Sequence, residues 1–283
     1  MKKYSIKKLV LQEICLLIPL ILYAIYKNGY LIYQKGLINI VEIFKPIYLV
    51  LIGVVVKVII DLIKERKIKI DYNLLYVILI SMIMPYNISI ILYTISFTCL
   101  YILSLFLDKF IKLNKVCFIY LIIVLLNLLF NTFTFKNILE ESVIYNFSFL
   151  NILFGRSVGG LCSTSILFSL IAFTILTNNF YYKKDIPFMI NIVYLLFSFI
   201  YFIITKNSNI LLNSELIFAS VFIASLPEYS PFGRKGQIIF GSIIGVLSFI
   251  LSLLFNAIIS VYIVIFILSL VGNHKSLKNN VQG

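Results

Sequence analysis

Residues 88–107 read ISIILYTISFTCLYILSLFL, a run of twenty residues without a charged side chain. A membrane-spanning α-helix needs about 20 predominantly apolar residues to cross a hydrocarbon core roughly 30 Å thick. The sequence therefore predicts an all-α, polytopic membrane protein of about ten transmembrane helices. The ten apolar segments are 9–26, 41–60, 74–86, 88–107, 116–135, 161–180, 186–205, 210–226, 237–256 and 258–272.

The composition supports this fold class and excludes several others. Hydrophobic residues make up 61% of the 283 residues, charged residues make up 12%, and the mean hydropathy is +1.07. Soluble domains are about 45–50% apolar and about 25% charged. A secreted enzyme, a disordered tail and a DNA-binding domain are therefore excluded. Because ten spans leave no room for a soluble catalytic domain, we treat residues 1–283 as a single integral membrane domain.

The positive charges predict the orientation of the spans. With the N-terminus inside, the inner segments hold 17 of the 24 Lys and Arg residues, the outer loops hold six, and Lys57 lies within a span. Because basic residues accumulate in cytoplasmic loops, the net charge of +13 indicates topology rather than a nucleic-acid partner. We expect a multi-pass protein with both termini in the cytoplasm. The scarcity of alanine beside abundant Ile, Asn and Lys is typical of AT-rich bacterial genomes and favours the bacterial plasma membrane.

Five of the predicted spans lie in residues 1–135 and five in residues 158–283, with an outer loop at residues 136–157 between them. An odd number of helices per half places the halves in opposite orientation, as in transporters with inverted repeats. Pro85 and Pro227 lie at similar places in the two halves. Because proline breaks helices, the third span is expected to be short or broken inside the bilayer.

Two ionisable side chains are assigned to the interior of the spans, Glu13 and Lys57. They lie at similar depth, so they could pair, or each could reach the membrane interface separately. Catalytic and metal-binding motifs are absent from the sequence, and a single histidine, His274, excludes a multi-histidine site. The four cysteines have no metal-binding spacing and are expected to be buried apolar residues.

Residues 154–165, FGRSVGGLCSTS, form the stretch before the sixth span that carries the most polar groups. Its glycines allow close backbone approach, its hydroxyls offer hydrogen bonds, and the free N–H groups of a helix start favour an anion. The stretch is therefore predicted to hold a phosphate or a flavin tail without a covalent bond. The alternative is a flexible loop with an ordinary hydroxyl N-cap. The predicted binding residues are Arg156, Ser163, Thr164 and Ser165.

A second stretch, residues 224–247, reads ASLPEYSPFGRKGQIIFGSIIGVL. Two prolines end the eighth span, and Gly241 and Gly245 form a face of small residues for close helix packing. The stretch resembles the D subunit of Rnf-type ion-translocating electron-transport complexes and, more distantly, the corresponding membrane subunit of the sodium-pumping NADH:quinone reductase. The pattern in that family is approximately A-F-F-x-x-T-D-P-V-T-S-P-x-x-x-x-G-R-x-I-F-G-x-x-I-G-V-L. The chain shares Pro227, Ser230–Pro231 and the run 239–247.

The stretch before the sixth span is also similar to this family. It looks like the family pattern G-x-x-G-E-T-S, with Gly159, Thr164 and Ser165 retained. Cys162 and Ser163 stand in the places of the second glycine and the glutamate. The motif resemblance thus covers about residues 155–247, and the order of the apolar segments agrees over the whole chain.

The resemblance implies FMN as the cofactor that the family uses and other membrane subunits as partners. In the D subunit, the threonine of an S-G-A-T motif in the outer loop bears FMN through a phosphoester bond. Residues 136–157 contain no threonine, so the covalent attachment motif is absent here. Residues 112–118 replace an expected F-N-P-A element, and Leu226 replaces the aspartate of T-D-P.

These observations predict a membrane subunit of an Rnf-like, redox-driven ion-translocating electron-transport complex. It would be part of a membrane oxidoreductase rather than a self-sufficient enzyme, without the usual covalent flavin. The expected partners are other membrane subunits and the lipid bilayer, with no nucleic acid. The alternative is a non-redox membrane scaffold or a small-solute pathway that derives from the same fold.

Overall fold

A computed structural model describes residues 2–130, 149–155, 157–206 and 210–281. In this part of the chain the secondary structure is helical and contains no strand, which confirms the predicted all-α fold class. A 3₁₀ turn, Ile40–Phe44, precedes the third helix. The α-helices are α1 Lys2–Ala24, α2 Leu31–Gln34, α3 Lys45–Glu65, α4 Tyr72–Ile83, α5 Ile90–Leu107, α6 Lys115–Phe130, α7 Phe149–Leu153, α8 Ile166–Leu176, α9 Asp185–Thr205, α10 Ser214–Ala219, α11 Arg234–Leu254 and α12 Ala257–Val281.

Among the described residues, ten apolar helical units follow the ten predicted segments in order. Five are long and apolar enough to cross a membrane: Lys7–Gln34, Ile40–Lys64, Ile90–Leu107, Asp185–Thr205 and Arg234–Leu254. Five are shorter: Tyr72–Ile83, Lys115–Phe130, Ile166–Leu176, Ser214–Ala224 and Ala257–Val271. A helix of 12 residues, such as α4, spans only about 18 Å. α4 therefore depends on neighbouring parts of the protein to bury the non-helical backbone that follows it.

Two helices pass into π-helical turns. α1 continues through the π turn Ile25–Tyr30 into α2, so the first span is one long helix. α10 continues into the π turn Ser220–Ala224. Because a π turn holds more residues than an α turn, it redirects the side chains that follow, and such turns are frequent at functional sites.

The short helices α4 and α10 form the buried centre of the molecule. Almost every side chain of α4 and of α10 with its π turn is buried, whereas the long helices expose one apolar face. α4 contacts α1, α3 and α6, while α10 with its π turn contacts α8, α9 and α12. Each central helix is thus surrounded by helices from its own half of the chain.

The two central helices begin and end in the same way. The side chains of Asp71 before α4 and Asn213 before α10 each accept a backbone N–H three residues on, at 3.3 and 3.2 Å. Pro85 and Pro227 each follow fourteen positions after that capping residue. α4 has only 12 residues and its C-cap residue is Met84, which directly precedes Pro85, so the expectation of a short or broken third span is confirmed in its first form.

The helices that precede α4 and α10 also match each other in length and in how they end. α3 and α9 both have 21 residues, and both end at a residue in the left-handed region, Arg66 with φ 53° and Lys206 with φ 54°. These paired features support two related halves. The domain boundaries at 135 and 158 stay a prediction.

Close packing between α11 and α9 is confirmed at two glycines. A Cβ added at Gly241 would lie 2.8 Å from the Ile186 carbonyl oxygen, and one at Gly245 would lie 2.9 Å from that of Ile190. The prediction for the cysteines is only half right, because Cys117 and Cys162 are buried whereas Cys15 and Cys99 are exposed. Hydropathy does not separate them, since the outward faces of membrane helices are apolar too.

Glu13 and Lys57 do not pair, so the first of the two alternatives for these residues is wrong. Lys57 is fully buried, and its Nζ lies 2.5 Å from Asp61 Oδ2 and 3.3 Å from Asp71 Oδ1. Asp61 lies one helical turn away and Asp71 caps α4, so both carboxylates are nearer than Glu13. Glu13 is 1% exposed, and its Oε2 has no hydrogen-bond partner among the described residues.

Candidate functional site

The connecting segment 154–165 packs against the broken end of α4. The backbone N–H of Leu161 donates to the Met84 carbonyl oxygen at 2.7 Å. A carbonyl at a helix end has no partner within the helix, so the segment supplies one. Gly160 permits this contact, because a Cβ there would lie 2.6 Å from the Ile83 carbonyl oxygen. The segment therefore takes the place that the next turn of α4 would fill.

Glu215 places a buried carboxylate against this segment. Its Oε1 accepts from the Gly160 N–H at 2.6 Å and from Ser163 Oγ at 2.5 Å, and its Oε2 accepts from the Tyr262 hydroxyl at 2.5 Å. The Glu215 side chain is 1% exposed. A buried carboxylate is tolerated only when donors or a counter-charge compensate for its lost hydration, and three donors do so here. We call Glu215, Gly160, Ser163 and Tyr262 the Glu215 cluster.

Lys27 brings a buried ammonium group to the same segment from the π turn of α1. Its Nζ donates to the Gly155 carbonyl oxygen at 2.5 Å, to the Ser157 carbonyl oxygen at 3.2 Å and to Thr164 Oγ1 at 3.1 Å. The lysine is 2% exposed. We call Lys27, Gly155, Ser157 and Thr164 the Lys27 cluster. Because Ser163 and Thr164 are neighbours, the ammonium and the carboxylate are bound through adjacent residues.

Two further contacts fix the backbone of the segment. Asn28 follows Lys27 in the π turn, and its Nδ2 donates to the Leu161 carbonyl oxygen at 2.7 Å. Gly155 has a φ of 86°, and a Cβ there would lie 2.8 Å from Ser165 Cα and 2.9 Å from Ser165 N. Gly155 therefore lies directly against the residue that precedes α8, and a larger residue would be excluded by both its backbone conformation and its volume.

The structure brings three of the four predicted binding residues together, and Arg156 lies outside the described residues. Ser163, Thr164 and Ser165 are each at most 3% exposed. Ser163 faces Glu215, Thr164 faces Lys27, and Ser165 Oγ has no hydrogen-bond partner in the described part of the chain. Two of the three hydroxyls therefore already bind protein groups. The phosphate site stays a prediction.

Sequence reasoning missed both charged residues of the site. Glu215 lies inside the predicted segment 210–226, and a carboxylate within an apolar run is the signal that could have identified it. Lys27 gives no such signal, because it follows the predicted first span by one residue and reads as a loop residue. No group of three or more His, Cys, Asp or Glu side chains suited to a metal occurs among the residues with described positions.

A third buried lysine lies beyond the other end of α10, in the loop between α8 and α9. Lys183 Nζ donates to the Pro227 carbonyl oxygen at 3.0 Å, and to the carbonyl and hydroxyl oxygens of Ser230 at 2.5 and 2.9 Å. The ammonium also lies 4.3 Å from the ring centroid of Phe232. Burial lowers the pKa of Lys183 to about 8. This contact ties the loop before α9 to the loop after α10.

The ten apolar helical units and the polar centre at a helix break define a polytopic membrane protein. Charged and polar side chains are buried inside its helical bundle. The sequence profile of the NQR2, RnfD, RnfE family matches residues 125–271, just over half of the chain. The chain therefore belongs to this family of membrane subunits of Rnf- and Nqr-type complexes, as the motif resemblance predicted. No curated protein sequence matches the chain.

Proposed function

We propose that the chain is a membrane subunit of a redox-driven ion-translocating electron-transport complex in the bacterial plasma membrane, with both termini in the cytoplasm. The observation that carries this proposal is the family match over residues 125–271, which includes the connecting segment and Glu215. An ionisable group buried in a membrane costs at least roughly 2.5–3.5 kcal/mol at the bilayer centre and commonly marks a functional position. The Glu215 and Lys27 clusters are such positions.

The proposed partners are other membrane subunits of the same complex. The long helices expose large apolar side chains along their outward faces, among them Leu51, Val55 and Ile59 of α3. Such faces contact either lipid or neighbouring membrane helices. In the proposed complex, electrons reach this chain through another subunit.

Deletion of the chain tests this function. In inverted membrane vesicles, we expect electron-donor-dependent ion uptake to be lost in the deletion strain and to return when the chain is supplied again. Purification in mild detergent should recover the chain together with other membrane subunits. Unchanged uptake after deletion contradicts the proposal. A chain that purifies alone and conducts a small solute in liposomes would instead support a non-redox pathway.

The proposed subunit carries no covalent flavin on residues 136–157, because that loop has no threonine to form the phosphoester. Denaturing gel electrophoresis under ultraviolet light should show no fluorescent band at the mass of the chain. A fluorescent band would identify another attachment residue. If the gel shows no fluorescent band, denaturation of the native protein shows whether it releases a non-covalent flavin. Release from the wild type, but not from folded Thr164→Val, would place that flavin at the start of α8.

A further inference from the structure

Three oxygen atoms that Lys27 Nζ contacts are of the kinds that bind alkali cations. Two are backbone carbonyl oxygens, of Gly155 and Ser157, and one is the hydroxyl of Thr164. In membrane transporters, carbonyls freed where a helix is interrupted coordinate sodium, and carbonyl rings replace the hydration shell of potassium in channels. The same type of ligand set surrounds the lysine ammonium here.

The buried charges favour a cation at this position. Glu215 carries a carboxylate on the other side of the residue pair Ser163–Thr164, and an added Cβ at Gly159 would collide with both the Glu215 carboxylate and Thr164. The ammonium and the carboxylate therefore share one buried region. Removal of the ammonium alone would leave a buried carboxylate without its counter-charge, which is strongly unfavourable.

The oxygen atoms are held in place by contacts other than Lys27. Gly155 packs directly on the backbone of Ser165, and Asn28 binds the Leu161 carbonyl. Glu215 binds the Gly160 N–H from the opposite side. A preorganised set of ligands binds with less ordering cost than a flexible one, so a vacated site would keep its affinity for a small cation.

We propose that the connecting segment forms a monovalent-cation site, and that the Lys27 ammonium fills it as a cation tethered to the protein. The site binds Na⁺, K⁺ or a small alkylammonium ion when the lysine side chain is shortened. With Lys27 present, the fold at this helix break needs no alkali ion. This inference concerns the site alone and does not depend on electron transport.

The test compares the thermal unfolding of the full chain in detergent in four chloride salts of equal ionic strength: sodium, potassium, methylammonium and choline. Wild-type protein should unfold at the same temperature in all four. Lys27→Ala should unfold at a lower temperature in choline, which is too large for the site. At about ten times its Kd, the best small cation should raise that midpoint by roughly 3–6 °C.

Asn28→Ala is the matched control, because it weakens the same segment from the neighbouring position and keeps the ammonium in the site. It should be destabilised equally in all four salts. Lys27→Ala combined with Thr164→Val, which lacks one ligand, should respond less to the cation than Lys27→Ala alone. Equal responses of Lys27→Ala and Asn28→Ala, or no response of either, overturn the proposal.

Folding yield provides the readout if Lys27→Ala does not fold in choline. The variant is then purified in each of the four salts, and monodisperse protein is measured by size-exclusion chromatography. Recovery of folded protein in sodium, potassium or methylammonium, but not in choline, supports the tethered-cation site. Failure in all four salts overturns it.

Discussion

Tyr120 of α6 and Tyr262 of α12 pack against each other with their ring centroids 4.5 Å apart, and they are 142 positions apart in the sequence. Asp71 and Asn213, which cap the two central helices, have the same separation. The two tyrosines are therefore related by the same separation in sequence as the two capping residues, and their rings are in contact.

The buried charged residues do not recur at this separation of 142 positions. The position that corresponds to Glu215 in the first half is Asn73, whose Oδ1 accepts from Lys115 Nζ at 2.9 Å. The second half thus buries a carboxylate where the first half has an amide. The carboxylate of Glu215 therefore has no counterpart at the corresponding position, although the helices around it are paired.

Loss of the Tyr262 hydroxyl should destabilise the Glu215 cluster. Because the hydroxyl donates to a buried carboxylate, Tyr262→Phe should lower the free energy of unfolding by about 1.5–3 kcal/mol. Tyr93→Phe, which loses a hydrogen bond between the neutral hydroxyls of Tyr93 and Ser81, should cost only about 0.5–1.5 kcal/mol. Denaturant unfolding in detergent measures both values. Equal losses would show that Glu215 gains no special stabilisation from Tyr262.

Gly155→Ala should disrupt the connecting segment more than backbone strain alone explains. Gly155 and Gly36 both have a positive φ, 86° and 70°, but a Cβ at Gly36 meets nothing within 4 Å. Gly36→Ala therefore reports the strain of the left-handed conformation, about 1 kcal/mol. Gly155→Ala adds the collision with Ser165 and should lower the unfolding temperature further. The prediction is wrong if the two variants unfold at the same temperature.

Double-mutant cycles should show that Lys57 interacts with Asp61 and does not interact with Glu13. Lys57→Met and Asp61→Asn should show a coupling of about 0.5–3 kcal/mol, because their side chains form a buried ion pair. The losses of Lys57→Met and Glu13→Gln should add, since the two residues do not meet. Unfolding of the three single and two double variants provides the measurement. Coupling between Glu13 and Lys57 would contradict this geometry.

The buried Lys183 should make stability depend on pH above neutrality. Its pKa is about 8 in the folded chain, below the ordinary value of 10.5. Between these values the unfolded chain holds a proton that the folded chain has released, so stability rises as the pH increases through this window. Lys183→Met should abolish this rise. Lys184→Met, the same change at the exposed neighbouring residue, should retain it, and an unchanged profile in Lys183→Met would refute the assignment.

Cysteine labelling should place two loops on opposite sides of the membrane. In a chain whose native cysteines are replaced by serine, Ser142→Cys should react with an impermeant maleimide in intact cells. Phe232→Cys, at a side chain that is 85% exposed, should react only after the membrane is opened. Reaction of both positions in intact cells would refute the ten-span topology.

Hydropathy was sufficient to predict the ten helical units, because each apolar run is local in sequence and long enough to recognise. The two polar clusters could not be predicted in the same way. Their residues come from α1, the connecting segment, α10 and α12, which are distant in the sequence. Lys27 binds two backbone carbonyls, and because every residue has a carbonyl, no residue type marks the partner of this lysine.

The signal at residues 163–165 was nevertheless informative. The concentration of hydroxyls there predicts a bound phosphate, which stays a prediction, and in the structure Ser163 and Thr164 form hydrogen bonds with protein groups. The nature of their partners was beyond the sequence, because a hydroxyl can donate to a carboxylate or accept from an ammonium group equally well. Only the fold determines which group faces each hydroxyl.

The π turn Ile25–Tyr30 makes the number of residues in α1 as important as their identity. Each residue of an α-helix advances the side chains by about 100°. A π turn holds one residue more than a regular α-helix needs to turn through the same angle. Deletion of a single residue within this turn would therefore restore a regular α register and leave the helix beyond it almost unrotated. The side chains of Lys27 and Asn28, which lie in the turn itself, would then point in different directions, although hydropathy and composition would be almost unchanged.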